Sequence, residues 1–141
     1  MPNIVYNSFF EKLMDNTIDL KDDTIKCCLL QGPTGSNPYT PNLTHVFLSN
    51  IQAYEVSGAG YTAGGKEVLN KTITGQKFDG DNVQWSAATI KSAYAVVYKS
   101  TGTPSTSPLI CMMDLGGEKS VTNATFEVEF NSAGILTFAM Y

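Results

Sequence analysis

Charge is scarce in this sequence, and positive charge is scarcer than negative. Only 16% of the 141 residues are charged, and 9 Lys and Arg residues oppose 13 Asp and Glu residues, which leaves a net charge of −4. Proteins that bind the phosphate backbone of nucleic acids present a basic field, so this composition predicts no nucleic-acid partner. Hydrophobic residues make up 43% of the chain. That fraction predicts a folded chain with a core, since disordered chains combine low hydrophobicity with many charges.

Long apolar runs are also missing. Because no run reaches the length of about eighteen apolar residues that a bilayer requires, we expect no membrane span and no membrane partner. The start, Met1-Pro2-Asn3-Ile4, lacks the basic and apolar regions of a secretory signal. Cysteines are few and odd in number: Cys27 lies next to Cys28, and Cys111 is far away. Because neighbouring cysteines rarely bridge, we expect three free thiols in a reducing cytoplasm.

Groups that carry catalysis are equally few. His45 is the single histidine, without a Ser or Cys at nucleophile spacing, so a solvent-facing or capping role is expected. An apolar strand around Cys27 and Cys28 raises thiol pKa values, and no zinc-ligand spacing is present. Residues 60–66 match the core of a phosphate loop, but Glu67 replaces the Ser or Thr that would hold magnesium. A glycine turn leading into a strand is expected there, and no enzyme, cofactor or metal site is predicted.

The first third of the chain mixes helices with one strand. Apolar residues at helical spacing predict a helix over residues 4–15, with Asn3 as its N-cap. Residues 24–30 start with alternation and become apolar on both faces, which indicates a strand. Residues 31–42 contain three prolines and two glycines and are expected to form a loop. A second short helix is predicted over residues 43–50, and its expected buried side consists of Leu43, Val46, Phe47 and Ile51.

The rest of the chain is typical of β-structure. Residues 101–108 are expected to form a loop, and 131–134 a hairpin loop with Gly134 at positive φ. Because helices do not alternate with strands, we predict one domain, residues 1–141, that is mainly β: an antiparallel β-sandwich of Greek-key or jelly-roll type. In the clearest strand, one face is expected to hold Ile90, Ser92, Tyr94, Val96 and Tyr98. Strands are predicted at 67–74, 77–78, 83–85, 89–98, 109–114, 125–130 and 135–141.

Several blocks of residues together resemble one protein family. The first block consists of Glu11-Lys12-Leu13-Met14-Asp15, Thr17-Ile18-Asp19-Leu20 and Thr24–Leu30. Further blocks are Tyr54-Glu55-Val56-Ser57-Gly58 through Gly65-Lys66, Tyr94-Ala95-Val96-Val97-Tyr98-Lys99, Ser107-Pro108-Leu109-Ile110 with Asp114, and Ala133-Gly134-Ile135-Leu136. Nearly the whole chain is thereby similar to a family of small tailed-bacteriophage virion proteins. It departs from the family pattern at Cys27-Cys28 and Cys111-Met112-Met113, where small aliphatic residues are more usual.

The resemblance implies a structural virion protein without catalytic residues. We expect a capsid decoration or cement protein, made in the host bacterial cytoplasm, that binds the major capsid protein or other virion proteins and forms a homo-oligomer. A neck, tail or fibre component of the virion is the first alternative. A carbohydrate-binding module for attachment to the host surface is the second, with Trp85, Tyr94 and Tyr98 as an aromatic platform. A tyrosine-rich sheet face or a subunit contact is the other explanation for these aromatic residues.

Loops and the N-terminal segment are expected to bind the partner, because loops on rigid scaffolds commonly carry function. A helix does not easily bury two consecutive Phe residues on one face, so one of them faces a partner or makes a second internal contact. The candidate residues are Phe9 and Phe10 in the N-terminal helix, Tyr39 and Pro41 in the loop 31–42, and Pro104 and Pro108 in the loop 100–108.

Overall fold

The computed structural model describes residues 3–138, and this part of the chain is built mainly of antiparallel strands. The strands are β1 (Ile4–Val5), β2 (Ile25–Leu30), β3 (Lys66–Glu67), β4 (Thr72–Thr74), β5 (Lys77–Asp79), β6 (Val83–Lys99), β7 (Leu109–Val128) and β8 (Leu136–Thr137). A five-stranded main sheet has the order β1-β7-β6-β2-β3, and a small sheet has the order β4-β5-β8. The predicted class, mainly β with antiparallel sheets and short helices, is confirmed. Greek-key or jelly-roll connectivity remains a prediction.

A long hairpin of β6 and β7 forms the centre of the main sheet. Val83 pairs with Val128 at one end, and Tyr98 pairs with Leu109 next to the connecting loop. The sequence predicted four separate strands here, because the alternation of apolar residues is interrupted. The interruptions are irregularities within two continuous strands: the register shifts four times along the pair. The largest shift lies between Ser92 and Tyr94, where one residue of β6 faces four residues of β7, 115–118. Within these four residues, Gly116 and Gly117 have φ values of 79° and 106°.

These irregularities also change which residues share a face. Ile90 packs in the same cluster as Ala95 and Val97, whereas Val96 and Tyr98 pack in the cluster on the opposite face. The prediction that Ile90 shares a face with Val96 and Tyr98 is therefore wrong. A strand alternates with period two only while its ladder is regular, and each bulge displaces the alternation.

The predicted N-terminal helix begins later than its apolar spacing indicates. Ile4 and Val5 form β1, which pairs with Met112 and Cys111, and helix α1 covers Asn7–Met14. Asn3 does not cap the helix; its Oδ1 accepts a hydrogen bond from the backbone N–H of Asp114 at 2.9 Å. Two β-branched residues favour an extended strand when a free sheet edge is available to pair with them.

The second helix is likewise displaced along the chain. Helix α2 covers Leu48–Ile51 and continues into a 3₁₀ turn at Gln52–Tyr54, instead of covering residues 43–50. Asn50 Oδ1 accepts hydrogen bonds from the backbone N–H groups of Val46 and Phe47 and so determines where the helix starts. Leu43, predicted on the buried side, is 44% exposed, and Leu48 is buried instead. Neither helix in the described range has the length and apolar character needed to cross a bilayer.

Both faces of the main sheet are covered by apolar residues. The first core lies between the main sheet and the small sheet, and it includes Cys27, Trp85, Val97, Phe78 and Leu136. The second core lies on the opposite face, where the segment after β2 and α2 contribute Tyr39, Leu48 and Ile51. Strand β2 is buried almost throughout because it contributes to both cores.

The C-terminal strand pairs differently from the sequence prediction. The prediction joined residues 125–130 and 135–141 in one hairpin, and Gly134 indeed has a φ of 103°. Strand β8, however, pairs with β5 through Phe78–Leu136 and Lys77–Thr137. It thereby completes the small sheet over the first core. The last three residues of the predicted strand, 139–141, lie outside the described residues.

Replacing Gly65 tests the tightest backbone contact of the fold. Gly65 has a φ of 77°, and a Cβ at this position would lie 1.9 Å from the carbonyl oxygen of Cys27 in β2. We expect Gly65→Ala to lower the free energy of unfolding in urea by roughly 3 kcal/mol or more, because the backbone of the turn or of β2 must move. Gly75 is the matched control: its φ is 59°, and nothing lies within 4 Å of its added Cβ.

For Gly75→Ala we expect a loss of only about 1 kcal/mol, which is the cost of the left-handed conformation. Equal losses for the two variants would contradict the close packing of Gly65 against β2.

Candidate interaction surface

The three cysteine thiols are enclosed in the protein. Cys27, Cys28 and Cys111 are all free and buried. Burial raises the pKa of each thiol, to about 12 for Cys111, which confirms the direction predicted for Cys27 and Cys28. Because the thiolate is the nucleophilic form, these groups are held in their unreactive state at neutral pH.

His45 is half-buried and takes part in a chain of hydrogen bonds. The hydroxyl of Tyr6 bonds to the hydroxyl of Tyr39 at 3.1 Å, and the latter bonds to His45 Nδ1 at 3.0 Å. Burial lowers the pKa of His45 and raises the pKa values of both tyrosines. The chain ties the residue before α1 to the loop 31–42. Within residues 3–138, no three side chains of His, Cys, Asp or Glu gather as a metal site.

Glu55 organises a second polar cluster that the sequence analysis missed. Its Oε2 accepts hydrogen bonds from the hydroxyl of Tyr61 at 2.5 Å and from the N–H of Gly64 at 2.7 Å. Tyr61 also accepts a bond from the N–H of Leu29, and Tyr98 donates to the carbonyl of Gly64 at 2.5 Å. The glycine-rich turn is thus held against the main sheet. A tyrosine between glycines was the available signal, but its acceptor could not be identified without the fold.

The phosphate-loop pattern of residues 60–66 is a turn, as the sequence analysis expected. Its last residue, Lys66, begins β3 and pairs with Cys27 of β2 instead of opening a helix. Burial raises the pKa of the nearby Glu55 carboxyl, and this effect exceeds the lowering by its two hydrogen bonds. A small polar cleft of about 170 Å³ lies beside Glu55 and Tyr98.

The fold brings the three predicted partner-binding segments together. The N–H of Asn7 in α1 donates to the carbonyl of Leu43 at 3.0 Å. The amine of Lys12 lies 5.1 Å from the ring centre of Phe47. The loop 100–108 joins the same region, since Leu48 N–H donates to the carbonyl of Ser107 at 2.8 Å. Residues 43–48 therefore lie between α1 and the loop 100–108, and Tyr39 of the loop 31–42 reaches them through its hydrogen bond to His45.

The six candidate residues fall into two groups of three. Phe9, Tyr39 and Pro108 are buried within the protein, so direct contact with a partner, which the sequence predicted for them, is not available. Phe10 is 46% exposed, and Pro41 and Pro104 are half-buried. Phe9 stacks on Phe138 with ring centres 6.4 Å apart. Consecutive helix residues point about 100° apart, so α1 buries the first Phe and exposes the second.

Two exposed apolar residues that the sequence analysis missed extend this region. Met14 is 81% exposed and lies one helical turn after Phe10, and Leu43 is 44% exposed beside the start of α1. We call Phe10, Met14, Pro41 and Leu43 the helix–loop surface. Residues four apart on a helix share a face, a signal that could have identified Met14.

The expected aromatic platform is not exposed. Trp85 and Tyr98 are each 1% exposed, and they belong to the first and second core respectively. Tyr94 is half-buried beside the second core. Rings enclosed on opposite faces of a sheet cannot stack together on a sugar, so these three residues do not form the predicted carbohydrate site.

The Glu55 cluster predicts a pH-dependent contribution to stability. Because the pKa of Glu55 is raised above its ordinary value of 4.5, its stabilising contribution is complete below that pH and is lost as pH rises through the folded-state pKa. We expect the stability of wild type relative to Glu55→Gln to decrease as the pH rises above 4.5. Urea unfolding at several pH values measures this difference.

Glu11→Gln is the control, because Glu11 is an exposed carboxylate on α1. The difference between wild type and Glu55→Gln is compared with that for Glu11→Gln at each pH. A difference for Glu55→Gln that stays constant or grows with pH would contradict the assignment.

No protein-family model matches the chain, and neither a curated protein nor a solved structure matches it.

Proposed function

We propose that this chain is a non-enzymatic structural protein of a tailed-bacteriophage virion, a capsid decoration protein that binds and stabilises the major capsid lattice. Its mechanism is clamping: each copy contacts neighbouring capsid subunits and adds interface area between them. When a copy has formed its first contact with the lattice, its second contact site is held close to the neighbouring subunit. Individually modest contacts therefore combine to give strong binding. The family resemblance of the sequence supplies the virion context.

The observation that carries the proposal is the exposure of apolar side chains on the helix–loop surface. Phe10 and Met14, at 46% and 81% exposure, lie on α1, and the exposed Leu43 is bonded through its carbonyl to the start of the same helix. Burying a large apolar side chain contributes about 1.5–3 kcal/mol, and a partly exposed one gains part of that. Interfaces are enriched in Phe and Met and depleted in Lys, Glu and Asp, so this surface suits a protein partner.

The rigid attachment of the helix–loop surface also supports the proposal. The Tyr6–Tyr39–His45 hydrogen bonds join its segments to one another. The backbone N–H of Leu109 in β7 donates to the carbonyl of Val46 at 2.8 Å and so attaches them to the main sheet. A surface that is ordered before binding loses less conformational entropy when the partner binds.

Quantitative mass spectrometry of purified virions tests the proposal directly. On the order of hundreds of copies per particle are expected for a lattice-binding protein, since closed capsid symmetry repeats each site many times. About a dozen copies or fewer would favour a neck, tail or fibre component instead. Absence from finished particles would overturn the virion assignment.

The helix–loop surface predicts a binding defect for a double variant. Replacing both apolar side chains, Phe10→Ser with Met14→Ser, should weaken binding to particles that lack this protein by about tenfold or more. Binding is measured by co-sedimentation of purified protein with those particles.

The matched control is Leu69→Ser with Ile73→Ser, because these residues are 57% and 51% exposed in the segment around β4. The control is expected to bind like wild type. Equal defects in the two double variants would contradict the assignment of the helix–loop surface to the capsid contact.

A further inference from the structure

The outer edge of β7 has almost no neighbouring strand. One side of β7 pairs with β6 from Leu109 to Val128. On its other side, the described residues supply only β1, which pairs at Cys111 and Met112. A free strand edge presents backbone N–H and C=O groups that can pair with another strand.

A groove lies along this edge, and its second part is the more apolar. One cavity of about 320 Å³ is lined by Met113, Leu115 and Ile135 together with the polar residues Asn3, Glu129 and Asn131. A second cavity of about 310 Å³ shares Leu115 and continues to Val121 and Phe126. Leu115, Val121 and Ile135 are half-buried and pack against the first core. The groove therefore lies where the first core is incompletely covered. No residue of the helix–loop surface lines either cavity.

The charges around the groove select the kind of partner. Two carboxylates, Glu127 and Glu129, and one lysine, Lys119, are among the described residues that line the two cavities. The chain as a whole carries a net charge of −4. A second copy would bring the same net negative charge to this edge, and like charges repel. An extended segment that carries basic residues places positive charge next to the carboxylates of the groove.

We propose that the outer edge of β7, together with the groove along it, binds an extended apolar and basic segment of a partner protein by strand addition. Backbone hydrogen bonds to β7 provide affinity, and alternate apolar side chains of the segment enter the groove. The intervening basic side chains face the carboxylates. That the partner is another virion protein rests on the proposed function; the binding site itself does not.

A designed peptide tests the site on the purified protein. The probe is a fluorescently labelled peptide of eight residues with alternating Lys and Val, and fluorescence anisotropy measures its binding. A peptide with Glu in place of Lys tests the charge requirement. A Lys-Val peptide with alternate backbone nitrogens methylated tests the strand pairing, because methylation removes the N–H donors of one edge. We expect at least a tenfold weaker affinity for each of these two peptides.

Variants of the protein locate the binding site. Val121→Ser removes an apolar side chain from the groove, and Ile73→Ser makes the same kind of change on β4, at the edge of the small sheet. We expect Val121→Ser to weaken binding of the Lys-Val peptide by about tenfold and Ile73→Ser to leave it unchanged. Should Val121→Ser not fold, the methylated and Glu-containing peptides still decide the question on the wild-type protein.

Several results would overturn the proposal. These are no binding of the Lys-Val peptide, equal binding of the methylated or the Glu-containing peptide, and equal affinities of the Val121→Ser and Ile73→Ser variants. A protein that binds the peptide but is absent from virions would retain the strand-addition site and lose the proposed virion function. A protein present in virions that ignores the peptide would retain the function and lose the site.

Discussion

The pairing of β6 with β7 is the interaction on which the rest of the structure depends. Each of these strands contributes side chains to both cores, so a change in their register would move apolar residues from one face to the other. The four register shifts are therefore part of the fold. They allow Trp85 and Phe126 to contact each other in the first core while Tyr98 and Leu109 pack in the second.

Polar contacts then attach the loops to this hairpin. Tyr6, Tyr39 and His45 connect the start of α1 to the loop 31–42, and Glu55 holds the glycine-rich turn through Tyr61 and Gly64. Hydrogen bonds in a partly buried environment are stronger than in water, and leaving one partner unpaired is costly. The second core is consequently covered by irregular segments that nonetheless have defined positions.

The two proposed binding regions lie where other segments of the chain stop covering the helix or the sheet edge. The helix–loop surface exposes Phe10 and Met14 because α1 can turn only one side toward the core. The groove along β7 exists because β1 pairs with two residues of β7 and leaves the remaining edge open. A protein with two separate contact regions is able to join two neighbours, which is the geometry that clamping requires.

The sequence by itself determined the mainly β class, the strand over 25–30, the loop over 31–42, and the direction of the cysteine pKa shifts. These features depend on the local sequence. Alternation and apolar neighbours indicate which residues favour burial, and proline and glycine content indicates where the backbone turns. Only the tertiary structure decided that Ile4 and Val5 form a strand, that β8 joins β5, and that Phe9 is buried while Phe10 is exposed. The physical reason is that a strand needs a partner edge, and that edge comes from residues far along the chain, which local patterns do not identify.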